Sequence, residues 1–244
     1  MSLKAAGPRT LWFFDLDNTL HDAGRWVFPR MNAAMTHYIR DHLAMAEPLA
    51  DELRVRYWRR YGSTLLGLIR HHGVQPSHFL HETHRFPDLE QQVRGHRADL
   101  ECLRRLPGRR ILLTNAPRAY ALRVLQALRI ADCFEAVLSI EDMVMFGHWR
   151  PKPDARMFRY LAARLGARPQ DCVLVEDTLE HQKSARSVGW RTVWMQRWLR
   201  SSPPATARLH RCPAYVDRRI RSLAGLCKNH PKPSSQHLPL RPAP

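Results

Sequence analysis

Short apolar runs that recur at wide spacing constrain the fold of this 244-residue chain more than any other feature. Leu11–Phe14 is the first, and residues 111–113 and 173–175 follow, each with the length of a buried β-strand. Two weaker runs and two segments of helical periodicity alternate with them, at residues 136–138, 192–194, 119–128 and 154–165. This alternation predicts an α/β fold, a Rossmann-like doubly wound parallel sheet that is covered by helices.

A long segment between the first two runs breaks this alternation. Residues 24–92 have helical periodicity and no run that resembles a buried strand, and Pro or Gly residues mark the joints. We therefore predict an α-helical cap at residues 23–95, inserted into a core that comprises residues 1–22 and 96–226. Residues 229–244 contain five prolines and little to bury, which indicates a disordered basic tail.

The formal net charge of +17 raises the possibility of a nucleic-acid partner, because lysine and arginine neutralise phosphates. Ten basic residues and a single acid, Asp217, lie between Gln196 and the C-terminus, so the excess charge is concentrated there. This distribution disfavours nucleic acid. No apolar run approaches the length of a transmembrane helix, and the first residues do not resemble a signal peptide. We expect a cytoplasmic protein without membrane contacts, as a monomer or small homo-oligomer.

The five cysteines stand far apart, and no CxxC pair occurs among them. Such spacing indicates neither a zinc site nor a disulfide framework. We therefore predict that they are free, buried thiols.

Chemically active side chains follow each of the three strong apolar runs directly. In an open parallel sheet, the residues beyond the carboxyl ends of the strands converge on one crevice. Four carboxylates would meet there and repel one another, and a hard divalent cation such as Mg²⁺ is the usual remedy. The residues concerned are Asp15, Asp17, Thr114, Asn115, Glu176 and Asp177.

Asp15 and Asp17 are two residues apart, so one carboxylate can attack a reacting group while the other transfers a proton. A carboxylate attacks phosphorus when a metal and fixed donors neutralise the charge on the phosphoryl oxygens. Thr114 and Lys152 are suited to be those donors. Lys152 lies between two prolines just before a predicted helix, where an anion is bound favourably.

Each motif, taken alone, has a purely structural explanation. The Asp-x-Asp motif could cap a turn, residues 176–178 could begin a helix, and Lys152 could be an exposed charge. Taken together, three polar clusters that all follow predicted buried strands favour a common active site.

The order of these motifs resembles that of the haloacid-dehalogenase-like hydrolase superfamily: a DxDx[TV] element, then Thr, Lys and an acidic pair. The resemblance covers residues 9–22 and 96–226. It implies that Asp15 is the nucleophile and that Asp17 is the general acid and base. It also implies a Mg²⁺ site, in which the metal is bound by Asp15 and Asp177, by the backbone carbonyl of Asp17 and, through water, by Glu176. The phosphate is then bound by Thr114 and Lys152.

Two features narrow the reaction within that superfamily. The dehalogenases generally lack the second aspartate, so Asp17 favours phosphoryl transfer. Phosphonate-cleaving relatives use a cap lysine, and this chain has none between Asp22 and Leu100. Residues 14–20, 56–68 and 175–178 resemble the pyrimidine 5′-nucleotidase group. This implies a pyrimidine nucleoside monophosphate as the substrate, with Asn115, Tyr57, Arg60 and Tyr61 as further binding residues.

Three alternatives stay open at this point. Tyr57 and Tyr61 recur at helical spacing, which is equally typical of ordinary helix packing. The same fold also serves sugar-phosphate phosphatases and phosphomutases. A catalytically inactive, basic nucleic-acid-binding protein is the alternative of another class.

The histidines of the cap lie on predicted helices or loops, and we expect no second metal site there. Thr178 is followed by Leu179-Glu180-His181, where a Gly-Asn pair is more usual in the pyrimidine 5′-nucleotidase group.

Overall fold

The fold is that of a computed structural model, which describes residues 10–199 and 212–227. In this part of the chain, six parallel strands form one sheet in the order β3-β2-β1-β6-β7-β8. A short antiparallel pair, β4 and β5, lies outside it. The predicted α/β fold is confirmed. The strands are β1 Leu11–Phe14, β2 Arg109–Leu113, β3 Ala136–Leu138, β4 Val144–Met145, β5 His148–Trp149, β6 Cys172–Glu176, β7 Arg191–Met195 and β8 Arg218–Ile220.

Strand β1 lies at the centre of the sheet, which explains why its sequence is apolar without interruption. Successive side chains point to opposite faces. Trp12 and Phe14 pack into the core on one face, whereas Leu11 and Phe13 pack into the core on the other. Phe13 contacts Trp190 there, with ring centroids 4.3 Å apart. The two cores hold the sheet in place, and the predicted active-site residues follow at the ends of its strands.

Six helices lie between β1 and β2 in the described chain, and the first five form the insert that the helical periodicity predicts. The boundaries chosen for the core and the cap stay a prediction. The helices of the insert are α1 Val27–His42, α2 Glu47–Tyr61, α3 Thr64–His72, α4 Pro76–Thr83 and α5 Leu89–Gln92. The remaining helices are α6 Arg97–Arg105, α7 Arg118–Ala127, α8 Ala155–Arg164, α9 Leu179–Ser187 and α10 Ala224–Cys227.

The insert has a hydrophobic core of its own, to which α1, α2, α3 and α4 contribute. Helix α3 packs tightly on α2 at Gly67. A Cβ atom at this position would overlap the ring of Tyr57. Tyr57 is itself buried, with 8% of its surface exposed. The tyrosine face of α2 therefore packs inside the cap.

Two details differ from the sequence prediction. The last strand is Arg218–Ile220, whereas the apolar pattern of the sequence predicts it at residues 214–216. Cys102 and Cys227 form a disulfide, so the prediction of free thiols is wrong for this pair. The fold brings α6 and α10 together across 125 residues of sequence, which cysteine spacing could not reveal.

The predicted disordered tail, residues 229–244, lies outside the described residues. Within the described ranges, no helix combines the length and apolarity needed to cross a bilayer. The cytoplasmic location stays a prediction.

Gly67→Ala tests the close packing of α2 on α3. Alanine is normally the better helix former by about 1 kcal/mol. The overlap with Tyr57 should reverse this sign and lower the free energy of unfolding by about 1–3 kcal/mol, measured by urea denaturation. Ser77→Ala, at an exposed position of α4, is the control and should change stability by less than about 0.5 kcal/mol. A stabilised Gly67→Ala variant would contradict this packing.

Candidate active site

The active-site residues lie where three neighbouring strands end. The backbone ladder continues one residue beyond two of them: the Asp15 amide donates to the Val175 carbonyl at 3.0 Å, and the Thr114 amide donates to the Leu138 carbonyl at 2.9 Å. The polar residues predicted at the strand ends meet in one cavity of about 490 Å³. Those that line it are Asp15, Asp17, Thr114, Asn115, Lys152, Glu176 and Asp177.

Lys152 is the centre of this cluster and is 1% exposed. Its Nζ atom donates to Asp15 Oδ1 at 2.7 Å, to Glu176 Oε2 at 2.7 Å and to the Leu113 carbonyl at 2.9 Å. Asn115 holds the Lys152 backbone at both ends: its Nδ2 donates to the Lys152 carbonyl, and its Oδ1 accepts from the Lys152 amide. Asn115 therefore positions the lysine.

The carboxylates carry more negative charge than Lys152 neutralises. Burial, together with Glu176, raises the pKa of Asp15 to about 7, although Lys152 acts in the opposite direction. Burial and Glu176 also raise the pKa of Asp177 well above its ordinary value. Burial opposes the ionisation of Glu176 itself, but Lys152 and His181 hold its pKa below the ordinary value. The cluster therefore favours a further positive charge.

The donor set fits a divalent cation. Asp15, Glu176 and Asp177 each offer a carboxylate oxygen, and these three atoms lie within 4.8 Å of one another. Hard oxygen ligands are the donors that Mg²⁺ prefers. The Trp194 indole donates to the Asp177 carbonyl at 2.8 Å and so fixes the backbone of that residue. The predicted contribution of the Asp17 carbonyl stays a prediction.

Asp17 is held by two residues that sequence reasoning did not single out. The Tyr120 hydroxyl donates to Asp17 Oδ1 at 2.6 Å, and His21 Nε2 lies 2.8 Å from the same oxygen. His21 follows Asp17 by four residues, but Tyr120 lies 103 residues away in sequence. Only the fold brings Tyr120 to this carboxylate.

Two further histidines line the cavity. His181 Nδ1 lies 3.0 Å from Glu176 Oε2, the oxygen that also accepts from Lys152. Burial lowers the pKa of His84 to about 4, so this residue is neutral at physiological pH. Sequence reasoning assigned no role to His181, although this residue belongs to the departure from the usual motif at residues 179–181.

The cap forms the opposite wall of the cavity. Its lining is mainly apolar and includes three aromatic side chains, Phe28, Trp58 and Phe79. Trp58 is 61% exposed, which is unusual for so large an apolar side chain. Arg54 adds a polar element, since it donates to Asn32 Oδ1 at 3.1 Å and to Asp51 Oδ1 at 2.7 Å.

The three cap residues that the sequence suggested for substrate binding do not line this cavity. The Tyr57 hydroxyl lies 2.8 Å from His72 Nε2, and the Tyr61 hydroxyl lies 2.6 Å from His71 Nε2. Arg60 places its guanidinium over the Tyr61 ring. The face of α2 that lines the cavity carries Arg54, Val55 and Trp58 instead. Helix packing thus accounts for the tyrosines, and the geometry does not support their substrate contact.

Residues 11–189 match the family model described as haloacid dehalogenase-like hydrolase. This match covers well over half of the chain. The chain belongs to this family. The matched region includes the acidic cluster, Lys152 and Thr114, and the helical insert after β1 has the place of a cap.

Curated relatives in this family include phosphatases. The chain is 24% identical over 194 residues to phosphate metabolism protein 8 of Saccharomyces cerevisiae, which covers 74% of this chain and 60% of the yeast protein. It is 27% identical over 222 residues to human N-acylneuraminate-9-phosphatase, with 78% and 86% of the two chains covered. Among solved structures, a HAD phosphatase from Thermococcus onnurineus has a TM-score of 0.59 at 21% identity, over 90% of this chain and 96% of that one. This likeness concerns the fold.

Lys152→Met tests the central ion cluster in the metal-free protein. The raised pKa of Lys152 stabilises the fold below the ordinary lysine value of 10.5, and the lowered pKa of Glu176 stabilises it above the ordinary value of 4.5. Both contributions are therefore present at neutral pH. We expect the free energy of unfolding in EDTA to fall by about 3–5 kcal/mol, because buried carboxylates lose their partner.

Lys183→Met is the matched control, since Lys183 is exposed on α9. It should change stability by less than about 0.5 kcal/mol. Equal stability of the two variants at neutral pH would show that Lys152 does not hold the cluster together.

Proposed function

We propose that this protein is a magnesium-dependent phosphomonoesterase that forms a phospho-aspartate on Asp15. The observation that carries the proposal is the buried ammonium of Lys152, which donates to both Asp15 and Glu176. A carboxylate oxygen of Asp177 lies within 4.8 Å of oxygens of these two acids, so the three could bind one metal ion. Bound Mg²⁺ would neutralise charge on the phosphoryl oxygens. Thr114 would donate to the same oxygens from the protein side, and Lys152, whose three N–H groups are already engaged, would attract them through its positive charge.

The chain's own residues supply the nucleophile and the proton transfers for both halves of the reaction. Asp15 attacks phosphorus while the bond to the leaving oxygen breaks, and Asp17 gives that oxygen a proton. Asp17 then takes a proton from water, which attacks the phospho-aspartate, releases phosphate and restores Asp15. Asp17 lies two residues from Asp15 and lines the same cavity, as this exchange requires.

The cap residues that line the cavity favour a leaving group that is neutral and planar. Among the described residues that line the cavity, Arg54 is the only permanently charged cation besides Lys152. The Asp51 carboxylate already neutralises Arg54, with Asp51 Oδ1 2.7 Å from Arg54 Nη2. An anionic leaving group, such as the sugar acid that the human relative's name specifies, would find no uncompensated cation there. Aromatic walls, by contrast, suit the face of a nucleobase.

Polar atoms beside these walls are suited to the edge of a base. Asn32 Oδ1 accepts a hydrogen bond from Arg54, and Asn32 Nδ2 has no hydrogen-bond partner among the described residues. His84 Nδ1 faces the Leu80 carbonyl at 3.0 Å and donates to it, which makes Nε2 of the neutral ring an acceptor. One donor and one acceptor over an apolar floor support the pyrimidine nucleoside monophosphates as the substrates we propose.

The first test is phosphate release from a panel of nucleoside monophosphates and sugar phosphates, with Mg²⁺ or EDTA. We expect release that needs Mg²⁺ and is fastest with UMP or CMP. Asp15→Asn should lower kcat by more than about 10³-fold, because the nucleophile is lost. Asp132→Asn, at an exposed position, is the control. Release from sugar phosphates alone would refute the nucleotidase assignment, and release from no substrate would refute the enzymatic proposal.

Trp58→Ala tests the role of the cap wall in specificity. Loss of base stacking, worth about 1–3 kcal/mol, should lower kcat/KM for UMP by roughly 5- to 100-fold. The value for p-nitrophenyl phosphate, which has no nucleoside, should change far less than that for UMP. Leu49→Ala, exposed on the same helix but outside the cavity lining, should leave both values unchanged. An equal effect of Trp58→Ala on both substrates would contradict stacking on a base.

A further inference from the structure

The two oxygens of the Asp17 carboxylate have different surroundings. Oδ1 accepts a hydrogen bond from the Tyr120 hydroxyl at 2.6 Å and lies 2.8 Å from His21 Nε2. Oδ2 has no hydrogen-bond partner among the described residues. The side chain of Asp17 is 19% exposed and lines the cavity. One oxygen is therefore anchored within the protein, and the other is available to substrate.

The surroundings of His21 decide which of its nitrogens is the donor. His21 is fully buried, and its Nδ1 has no hydrogen-bond partner. A proton on Nδ1 would be a buried donor without an acceptor, which is costly. The proton of the neutral ring therefore lies on Nε2, where it is donated to Asp17 Oδ1.

Both anchors are themselves immobilised. Tyr120 is 3% exposed, and its ring packs edge-on against the rings of His84 and Phe86, with centroids 5.7 Å and 5.9 Å away. His21 follows β1 in a tight turn, in which the Leu20 amide donates to the Leu16 carbonyl at 2.9 Å. Asn18 caps this turn by accepting from the Gly24 amide at 2.9 Å. The two donors thus reach Asp17 from two separate elements of the core.

We propose that Tyr120 and His21 are positioning residues that fix the Asp17 carboxylate and assign proton transfer to its Oδ2 atom. This inference rests on the proposed phosphomonoesterase function. An oxygen that already accepts two hydrogen bonds is the poorer place for a proton, so the acidic proton resides on Oδ2. In the first step, the ester oxygen leaves phosphorus with its electron pair and takes that proton, while Asp15 forms the new bond to phosphorus. In the second step, the attacking water returns a proton to Oδ2.

The dependence of the rate on the leaving group separates this role from a merely structural one. An alkoxide leaving group needs protonation by Asp17, whereas p-nitrophenolate leaves readily without it. The ratio kcat/KM reports the first phosphoryl transfer, before water attacks. The alkyl substrate is UMP, or, if the nucleotide assignment fails, the alkyl phosphomonoester of the panel that the wild type hydrolyses fastest.

Tyr120→Phe keeps the ring and removes only the donor. We expect kcat/KM for the alkyl substrate to fall by about tenfold or more, and that for p-nitrophenyl phosphate to fall by less than about threefold. His21→Leu should give the same pattern, and His21→Gln, whose amide can donate to Oδ1, should recover most of the loss. Tyr38→Phe is the matched control, because Tyr38 is buried in the cap core and its hydroxyl contacts His78, away from Asp17.

An Asp17→Asn background provides the second measurement. If Tyr120 acts through Asp17, Tyr120→Phe should have no further effect on the alkyl substrate in this background. Equal losses on both substrates in a Tyr120→Phe protein of wild-type Tm, or a full further loss in the Asp17→Asn background, would overturn the positioning role. A wild type that cleaves no phosphomonoester would instead overturn the proposed function, and the inference with it.

Discussion

Lys152 donates all three of its N–H groups inside the protein, to two carboxylates and a backbone carbonyl. Without this ammonium, Asp15 and Glu176 would be buried as like charges at the end of adjacent strands, an arrangement that a fold of marginal stability cannot easily tolerate. The lysine therefore makes it possible to bury these two carboxylates side by side. It leaves the cluster short of positive charge, as the raised pKa values of Asp15 and Asp177 show, and this deficit suits a site that binds a cation and a phosphoryl group.

In the proposed function, the sheet holds the reacting groups and the cap selects the substrate. Strands β1, β2 and β6 are buried and fixed by their ladders, so the residues that follow them are held with little freedom. The cap contributes a wall of mainly apolar side chains, and it could change its lining without disturbing the acidic cluster. Asp17 lies between the two: its carboxylate is anchored from the core by Tyr120, while its other oxygen is available to the cavity that the cap covers.

The sequence was sufficient to predict the sheet and the residues at the strand ends, because both depend on local patterns. An apolar run followed by Asp15, or by Glu176, is visible without knowledge of contacts. The lining of the cap was not predictable in this way. Helix α2 carries aromatic residues on two faces, and only its packing on α3 decides that Tyr57 is buried while Trp58 faces the cavity. The contacts of Tyr120 with Asp17 and of Cys102 with Cys227 join segments over 100 residues apart, beyond the reach of any local pattern.

The most direct test of the central claim is to trap the covalent intermediate. Asp17→Asn should still accept a phosphoryl group from p-nitrophenyl phosphate, because this leaving group needs little protonation, but should hydrolyse the intermediate slowly for want of a general base. After incubation with Mg²⁺, acid quenching and peptide mass spectrometry, we predict that one phosphoryl group is found on the peptide with Asp15 and is assigned to that residue. Substrate turnover by this variant without a phosphorylated Asp15, or a phosphoryl group on another residue, would contradict the account.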